Sequence, residues 1–197
     1  MRVLVAEDDP VIGLALAERL RRLDHEPLGP AADGAEAIAL AMQSPADLYL
    51  FDIEMPAVDG LEAAARLAAG GLRRPVVIVT GIDDPTLIDR AIASGVAAYL
   101  TKPIDDLELD AAIKLAHARH AEFEELESQV GEAQQALADR KTVERAKGLL
   151  MTALQLSEQD AFRRLQITAR ERNLKLADVA RRIVEQENLL VPTVSAG

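Results

Sequence analysis

Short apolar runs alternate with amphipathic stretches over the first 120 residues. Val3 to Ala6, Leu48 to Phe51 and Val76 to Val79 are unbroken apolar runs, and each ends at once in a polar group: Glu7-Asp8, Asp52 and Thr80. Runs of this length between turn signals predict strands buried on both faces of a parallel sheet. The strands expected are Arg2–Ala6, Asp47–Asp52, Pro75–Thr80 and Ala97–Thr101, with a weaker one at Pro27–Ala32. Helix signals fill the gaps. Asp9 can cap and Pro10 suits a first helical position, so a helix is predicted over Pro10–Arg22, carrying Val11, Ile12, Leu14, Leu16 and Leu20. Others are predicted over Gly34–Met42, from Asp59-Gly60 through Leu67 with Gly70-Gly71 closing it, from Asp84-Pro85 to Ser94, and onward from Asp105 or Asp106. Strand–helix pairs in this order predict an α/β domain, a doubly wound (βα)5 parallel sheet with right-handed crossovers.

The pattern changes after Asp105, where neither Gly nor Pro appears until Gly131. Phe123, Leu126, Val130, Ala133 and Leu137 recur at spacings of 3, 4, 3 and 4 with Glu and Gln on the flanks. That is the seam of a coiled coil, and residues 121–139 read as a helical linker and candidate dimer zipper. Three further apolar stripes follow: Val143, Ala146, Leu149, Leu150 and Leu154; then Ala161, Phe162, Leu165 and Ala169; then Leu176, Val179, Ala180 and Ile183. Ser157 with Asp160 three residues on resembles a capping box, and Asn173 suits a C-cap or a left-handed position. The expected organisation is an α/β domain at 1–120, the linker at 121–139 and a three-helix all-α domain at 140–190. A frayed tail is expected from Pro192 to Gly197.

Composition narrows the picture. The chain is 49% hydrophobic but only 3% aromatic, so Leu, Ile, Val and Ala must build the cores. It has no cysteine, which excludes disulfides and thiolate metal sites. No apolar run approaches the roughly 18 residues of a membrane helix, and the chain enters its first strand directly, with no leader pattern. A soluble, cytoplasmic protein without a membrane partner is expected. The net charge of −11 is unevenly spread. Arg140 to Glu187 holds 11 Lys/Arg against 7 Asp/Glu, a net of +4, while the first 139 residues hold 11 against 26, a net of −15. Such asymmetry suggests that the basic part meets a polyanion.

Candidate chemistry gathers at the strand ends. Ligands of open α/β sheets sit outside the carboxyl ends of the strands. Glu7, Asp8 and Asp52 would crowd one spot there if the first and third strands are neighbours. Such crowding calls for a cation, and a hard divalent ion with oxygen ligands, Mg²⁺ for phosphate chemistry, answers it. Thr80 adds a hydroxyl and Lys102 an ammonium. This set suits phosphoryl transfer onto a carboxylate.

Glu7-Asp8, Asp52 with Met55-Pro56 and Asp59-Gly60, Thr80-Gly81, Tyr99 and Lys102-Pro103, in this order, resemble the receiver domain of two-component response regulators. The resemblance covers roughly Met1 to His120 and implies a flavodoxin-like fold. It implies that Asp52 is the phospho-acceptor and that a sensor histidine kinase is the donor. Asp8 and Asp52 would bind Mg²⁺ directly, Glu7 mostly through water, and the Glu54 carbonyl would complete the set. Lys102 would hold the phosphoryl group, the Lys102–Pro103 bond would be cis, and Thr80 and Tyr99 would form the switch pair.

The string Val143-Glu144-Arg145-Ala146-Lys147-Gly148-Leu149-Leu150-Met151, with Ser157, Ala161 to Leu165 and Leu176 to Ala180, resembles the ANTAR domain, the RNA-binding output of AmiR/NasR-type antiterminators. The likeness implies binding to paired RNA hairpins and a function in transcription antitermination. Gly148 inside a helix costs about 1 kcal/mol against Ala, so another surface is expected to approach it. Arg140, Arg145, Lys147, Gly148 and Arg164 are the candidate RNA contacts, with Lys141, Arg163 and Arg170 nearby. Hardly any aromatic residue is available for base stacking, which disfavours an RRM- or OB-type platform. A DNA-binding response regulator is the alternative, though no short-turn helix pair carries a strongly basic recognition helix. A turnover enzyme is disfavoured, because no substrate domain and no second acid/base beside Asp52 is present.

Overall fold

The computed structural model describes residues 1–81, 89–91 and 94–190, the last four in backbone only. The tail predicted from Pro192 lies outside them, as does most of the helix predicted over Asp84–Ser94, of which residues 89–91 are helical. The chain divides into two units, Met1–Glu125 and Leu126–Gly197.

In the first unit five parallel strands, β1 (Arg2–Ala6), β2 (Glu26–Ala31), β3 (Leu48–Asp52), β4 (Val76–Thr80) and β5 (Ala98–Thr101), form one sheet in the order β2-β1-β3-β4-β5. This is the flavodoxin-like order, whose switch point falls between β1 and β3. Side chains alternate across a strand, and both faces are apolar here. Val3, Val5, Leu48, Leu50, Val77 and Val79 pack with Leu16 and Leu20 of α1 (Pro10–Arg22) and with Leu109, Ile113 and Ala116 of α4 (Asp106–Leu154). Leu4, Ala6, Tyr49, Phe51 and Ile78 pack with Ala37 and Ala41 of α2 (Gly34–Gln43) and with Leu61, Ala63 and Leu67 of α3 (Gly60–Ala69). The helices start where side-chain oxygens accept their free N–H groups: Asp9 from Val11 and Ile12, Asp33 from Glu36, Asp59 from Glu62.

β2 reads weakly because it contains Pro27, Gly29 and Pro30. It is an edge strand, where prolines need not donate to a ladder. Gly29 sits at φ 92, and a Cβ there would meet Val5 O at 2.8 Å. The Gly29–Pro30 and Lys102–Pro103 bonds are both cis.

α4 is continuous for 49 residues, so the predicted linker and the first output helix are one element. Gly131 does not break it. The second unit adds α5 (Glu158–Glu171) and α6 (Leu176–Leu190). Its core is small: Ala146, Leu165, Ala169, Val179 and Ala180, flanked by Val143, Leu150, Leu174 and Ile183. Ser157 caps α5, accepting from the Asp160 N–H at 3.2 Å. A Schellman turn closes it: Asn173 takes φ 50, Leu174 N–H donates to Ala169 O at 2.9 Å and Asn173 N–H to Arg170 O at 3.2 Å. Among the described residues no helix is long and apolar enough to cross a membrane.

Candidate functional site

The strand order makes β1 and β3 neighbours, with Ala6 opposite Phe51. The next residue of each chain segment is therefore a carboxylate at the carboxyl edge: Glu7, then Asp8, beside Asp52. One carboxylate oxygen from each of the three lies within 4.8 Å of the others. Glu7 and Asp52 are buried, at 3% and 6% exposure, whereas Asp8 is exposed. From the end of β5, Lys102 reaches across and donates to Glu7 Oε2 and Asp52 Oδ2, both at 2.7 Å. Its backbone N–H donates to Thr80 O at 2.8 Å, which fixes where the side chain starts.

Three carboxylates against one ammonium leave the site negative. Burial pushes the Glu7 carboxyl above its ordinary range; the Lys102 hydrogen bond opposes this and the Asp52 charge adds to it. For Lys102 burial works against the charge, but hydrogen bonds to Asp52 and Glu7 outweigh it and hold the ammonium above its usual range. Buried oxygen donors with an excess of negative charge fit a hard divalent cation. The fit comes from the donor set itself, since Lys102 already bonds two of the three carboxylates and Asp8 has no ion pair among the described residues.

The loop after Asp52 is tightly held. Glu54 N–H donates to Asp52 Oδ1 at 3.2 Å, and Gly60 N–H donates to Ile53 O at 3.2 Å. Ala57 takes φ 65. A Cβ at Gly60 would stand 2.0 Å from Asp52 O. Gly60 is therefore a site residue in the positional sense, and its place in an Asp-Gly pair signalled only a helix start. Thr80 is fully buried at the end of β4, and Tyr99 is partly buried on β5 opposite Ile78. Beside Lys102 a cleft of about 530 Å³ opens, lined by Val11, Ala15, Pro103 and Ile104 among others. Val11 and Leu14 are 74% and 63% exposed, an apolar surface that the helical pattern alone did not flag as exposed.

In the second unit the predicted basic residues divide. Arg140, Arg145, Arg163, Arg164 and Arg170 are exposed. Lys147 is not: it is 9% exposed, and its Nζ lies 2.8 Å from Glu144 Oε2 and 2.6 Å from Glu158 Oε1. Hydrogen bonds to Glu144 and Glu158 hold its ammonium above the usual range, and the same bond draws the Glu158 carboxyl down. Lys147 thus ties α4 to the start of α5 rather than pointing to solvent. Gly148 beside it is exposed, and nothing lies within 4 Å of the position a Cβ would take. The surface expected to approach it is not another part of the described chain.

A parallel five-stranded sheet with an acidic triad and a lysine at its carboxyl edge, followed by a small helical domain, defines a receiver protein with an appended output. Comparisons with known proteins agree. Residues 3–114 match the response regulator receiver domain, and residues 131–184 match the ANTAR domain. The chain belongs to the response regulators, with a receiver domain followed by an ANTAR domain. It is a phosphorylation-controlled regulator with an RNA-binding, antiterminator-type output, and a DNA-binding output is not favoured. Among curated relatives, the transcriptional regulatory protein PdtaR of Mycobacterium tuberculosis is 41% identical over 184 residues, 93% of this chain and 89% of that protein. The positive alginate biosynthesis regulatory protein of Pseudomonas aeruginosa is 36% identical over 118 residues, 59% of this chain and 47% of that protein. The solved receiver domain of the Francisella response regulator 1452 is 28% identical with a TM-score of 0.55, covering 60% of this chain and 98% of that one. A DNA-binding response regulator of the LuxR family from Staphylococcus aureus is 28% identical with a TM-score of 0.56, covering 59% and 98%.

Proposed function

We propose that Asp52 accepts a phosphoryl group from a histidine kinase and that the resulting aspartyl phosphate controls RNA binding by the ANTAR domain. The observation that carries this reading is the lysine bridge. Lys102 Nζ stands 2.7 Å from both Asp52 and Glu7 at the switch point of the sheet. An Asp52 carboxylate oxygen attacks phosphorus, the bond from phosphorus to the donor imidazole nitrogen breaks, and that nitrogen keeps the electron pair. Lys102 is already in place to pair with the oxygens that gather charge. Glu7, Asp8 and Asp52, with the Glu54 carbonyl, would hold Mg²⁺, which when bound neutralises charge on the phosphoryl oxygens. Thr80 and Tyr99 act as the switch pair, the hydroxyl turning to the phosphoryl group and the ring following.

The exposed apolar surface of Val11 and Leu14, with the cleft beside Lys102, suits docking of the donor domain next to the reacting carboxylate. In the output domain Arg140, Arg145, Gly148 and Arg164 contact the RNA backbone, and Lys147 holds the helices that present them. The seam on α4 pairs two copies in the cytoplasm, and a dimer holds paired hairpins. The test is binding of a two-hairpin RNA with and without beryllofluoride and Mg²⁺, using wild type and Asp52→Asn. Beryllofluoride mimics the aspartyl phosphate. Wild type is expected to bind more tightly with it and Asp52→Asn to show no response. Equal stimulation of both proteins would remove Asp52 as the acceptor.

A further inference from the structure

We infer that the cleft between α5 and α6 receives an unstacked base of the RNA hairpin loop, with Arg172 and Arg182 as its specificity-determining residues. This rests on the RNA-binding reading of the output domain, and it assigns the loop-reading part of that function to residues outside the basic string on α4.

The cleft has a volume of about 410 Å³, inside the range of roughly 300–1,000 Å³ for small-molecule sites. Its floor is apolar: Val179 is buried, and Leu174 and Ile183 pack against it. Thr168, Arg172 and Arg182 stand around that floor, and both arginines are exposed. The Schellman turn at Asn173 builds the corner, placing Arg172 as the last residue before the turn and Leu174 as the first after it. An apolar floor with a few polar groups around it is the usual form of a site for a flat, partly polar ring.

Charge points the same way. Four acidic side chains of this unit pair with other cations: Lys147 takes Glu144 and Glu158, and Arg181 takes Asp139 at 3.2 Å and Asp178 at 3.0 Å. Arg172 and Arg182 have no carboxylate partner among the described residues. Glu185 is the one carboxylate lining the cleft, and two guanidinium groups against it beside an apolar floor suit a ligand that is both anionic and flat.

The remaining argument is about stacking. Sequence-specific RNA recognition reads unpaired loop bases, stacking them on aromatic rings or on guanidinium planes. From Leu126 to Gly197 the chain has a single aromatic residue, Phe162. Phe162 does not line this cleft, so stacking within it falls to arginine, whose planar group also reaches the adjoining phosphate. Glu185 and Gln186 line the same cleft and offer acceptors and an amide to a base edge. A free mononucleotide would meet the same chemistry, but only a loop base is tethered to a stem that the rest of the domain holds.

The test uses the full-length protein with beryllofluoride and Mg²⁺ and two RNAs with one stem. One carries the open loop, with 2-aminopurine at each unpaired position in turn; the other is closed by a tight, fully stacked tetraloop. Wild type is expected to bind the open loop about tenfold more tightly, the value of one stacked base, and to change the fluorescence of one loop position. Arg172→Ala and Arg182→Ala are expected to lose that preference and that fluorescence change while still binding the stem. Arg182→Lys is expected to bind the stem as wild type does and still to lack the preference. Circular dichroism and the thermal midpoint of each variant check that the domain stays folded. Equal weakening on both RNAs would make these arginines phosphate contacts only and overturn the proposal, as would an unchanged loop preference. Failure of wild type to bind either RNA would instead overturn the RNA reading on which the proposal stands.

Discussion

Two charged residues of similar promise in the sequence have opposite fates in the fold. Lys147 lies in the string that marks the output domain, yet its ammonium is spent on Glu144 and Glu158. Arg164 is exposed. Phosphate contacts release counterions and so set the salt dependence of RNA affinity. Arg164→Ala is therefore expected to weaken binding and to lower the slope of log affinity against log salt by about one. Lys147→Met is expected to lower the thermal midpoint, because two carboxylates lose their partner, while the slope stays as in wild type. A reduced slope for Lys147→Met would return it to the RNA surface. His25 gives a different prediction. It is 9% exposed, neither ring nitrogen has a hydrogen-bond partner among the described residues, and Asp110 Oδ1 lies 3.9 Å away. Burial holds its imidazole below the usual 6.5; the terminal amine and Lys114 push the same way, and Asp110 and Asp24 oppose. A depressed folded value means that the unfolded chain takes up the proton first, so stability falls as pH drops through about 6.5. From about pH 7.5 to about pH 5.5 the urea midpoint of wild type should fall more than that of His25→Leu. Parallel curves for the two would show that His25 does not titrate in this window.

At the level of elements, the loop from Asp52 to Gly60 decides where the Asp52 carboxylate stands. Gly60 opens α3, and its Cα approaches the Asp52 carbonyl so closely that a Cβ would fall 2.0 Å from the oxygen. Backbone cannot yield as a flexible side chain can. Gly60→Ala should cost about 3 kcal/mol, the upper end for overpacking, read by urea denaturation, and it should slow phosphorylation of Asp52 by a small-molecule donor. Full phosphorylation at wild-type stability would mean that the loop shifts freely. This constraint was hidden in the sequence, where Asp59-Gly60 signals a helix start and says nothing of a carbonyl across the turn. Other features were plain. Four strands are near-continuous apolar runs because both faces of the sheet are covered, and β2 was blurred because an edge strand accepts Pro27 and Pro30. The acidic residues and Lys102 could be read because the ends of neighbouring parallel strands share one edge, so strand order alone brings them together. The burial of Lys147 and the cleft beside Arg172 and Arg182 could not be read, since both depend on how α5 meets its neighbours.

For the whole molecule the charge distribution should make the proposed dimerisation along α4 and RNA binding respond to salt in opposite directions. The seam residues Phe123, Leu126, Val130 and Leu137 are 51%, 53%, 55% and 55% exposed in the single chain, which is what a helix awaiting a partner presents. With Phe123, Val130 and Leu137 at a and Leu126 and Ala133 at d, Glu122 falls at g and Glu127 at the following e. In a parallel pair these positions face each other across the interface, so each copy sets glutamate against glutamate. No Lys or Arg lies between Glu122 and Asp139 to relieve it. The apolar seam attracts and its flanks repel. Salt screens exposed charges over about 10 Å at 0.1 M, so added salt should tighten the dimer while it weakens the hold on RNA. Sedimentation equilibrium of the unphosphorylated protein across a salt series checks the first half. Glu127→Lys should reverse the trend by turning repulsion into an opposite-charge pair. Leu126→Glu with Val130→Glu should give a monomer that binds a single hairpin as wild type does but loses the avidity for paired hairpins, typically a hundredfold or more, on the order of 10²–10⁴. A dimer indifferent to salt and to these substitutions would place the interface elsewhere on the chain and leave the seam without a role in aligning the two output domains.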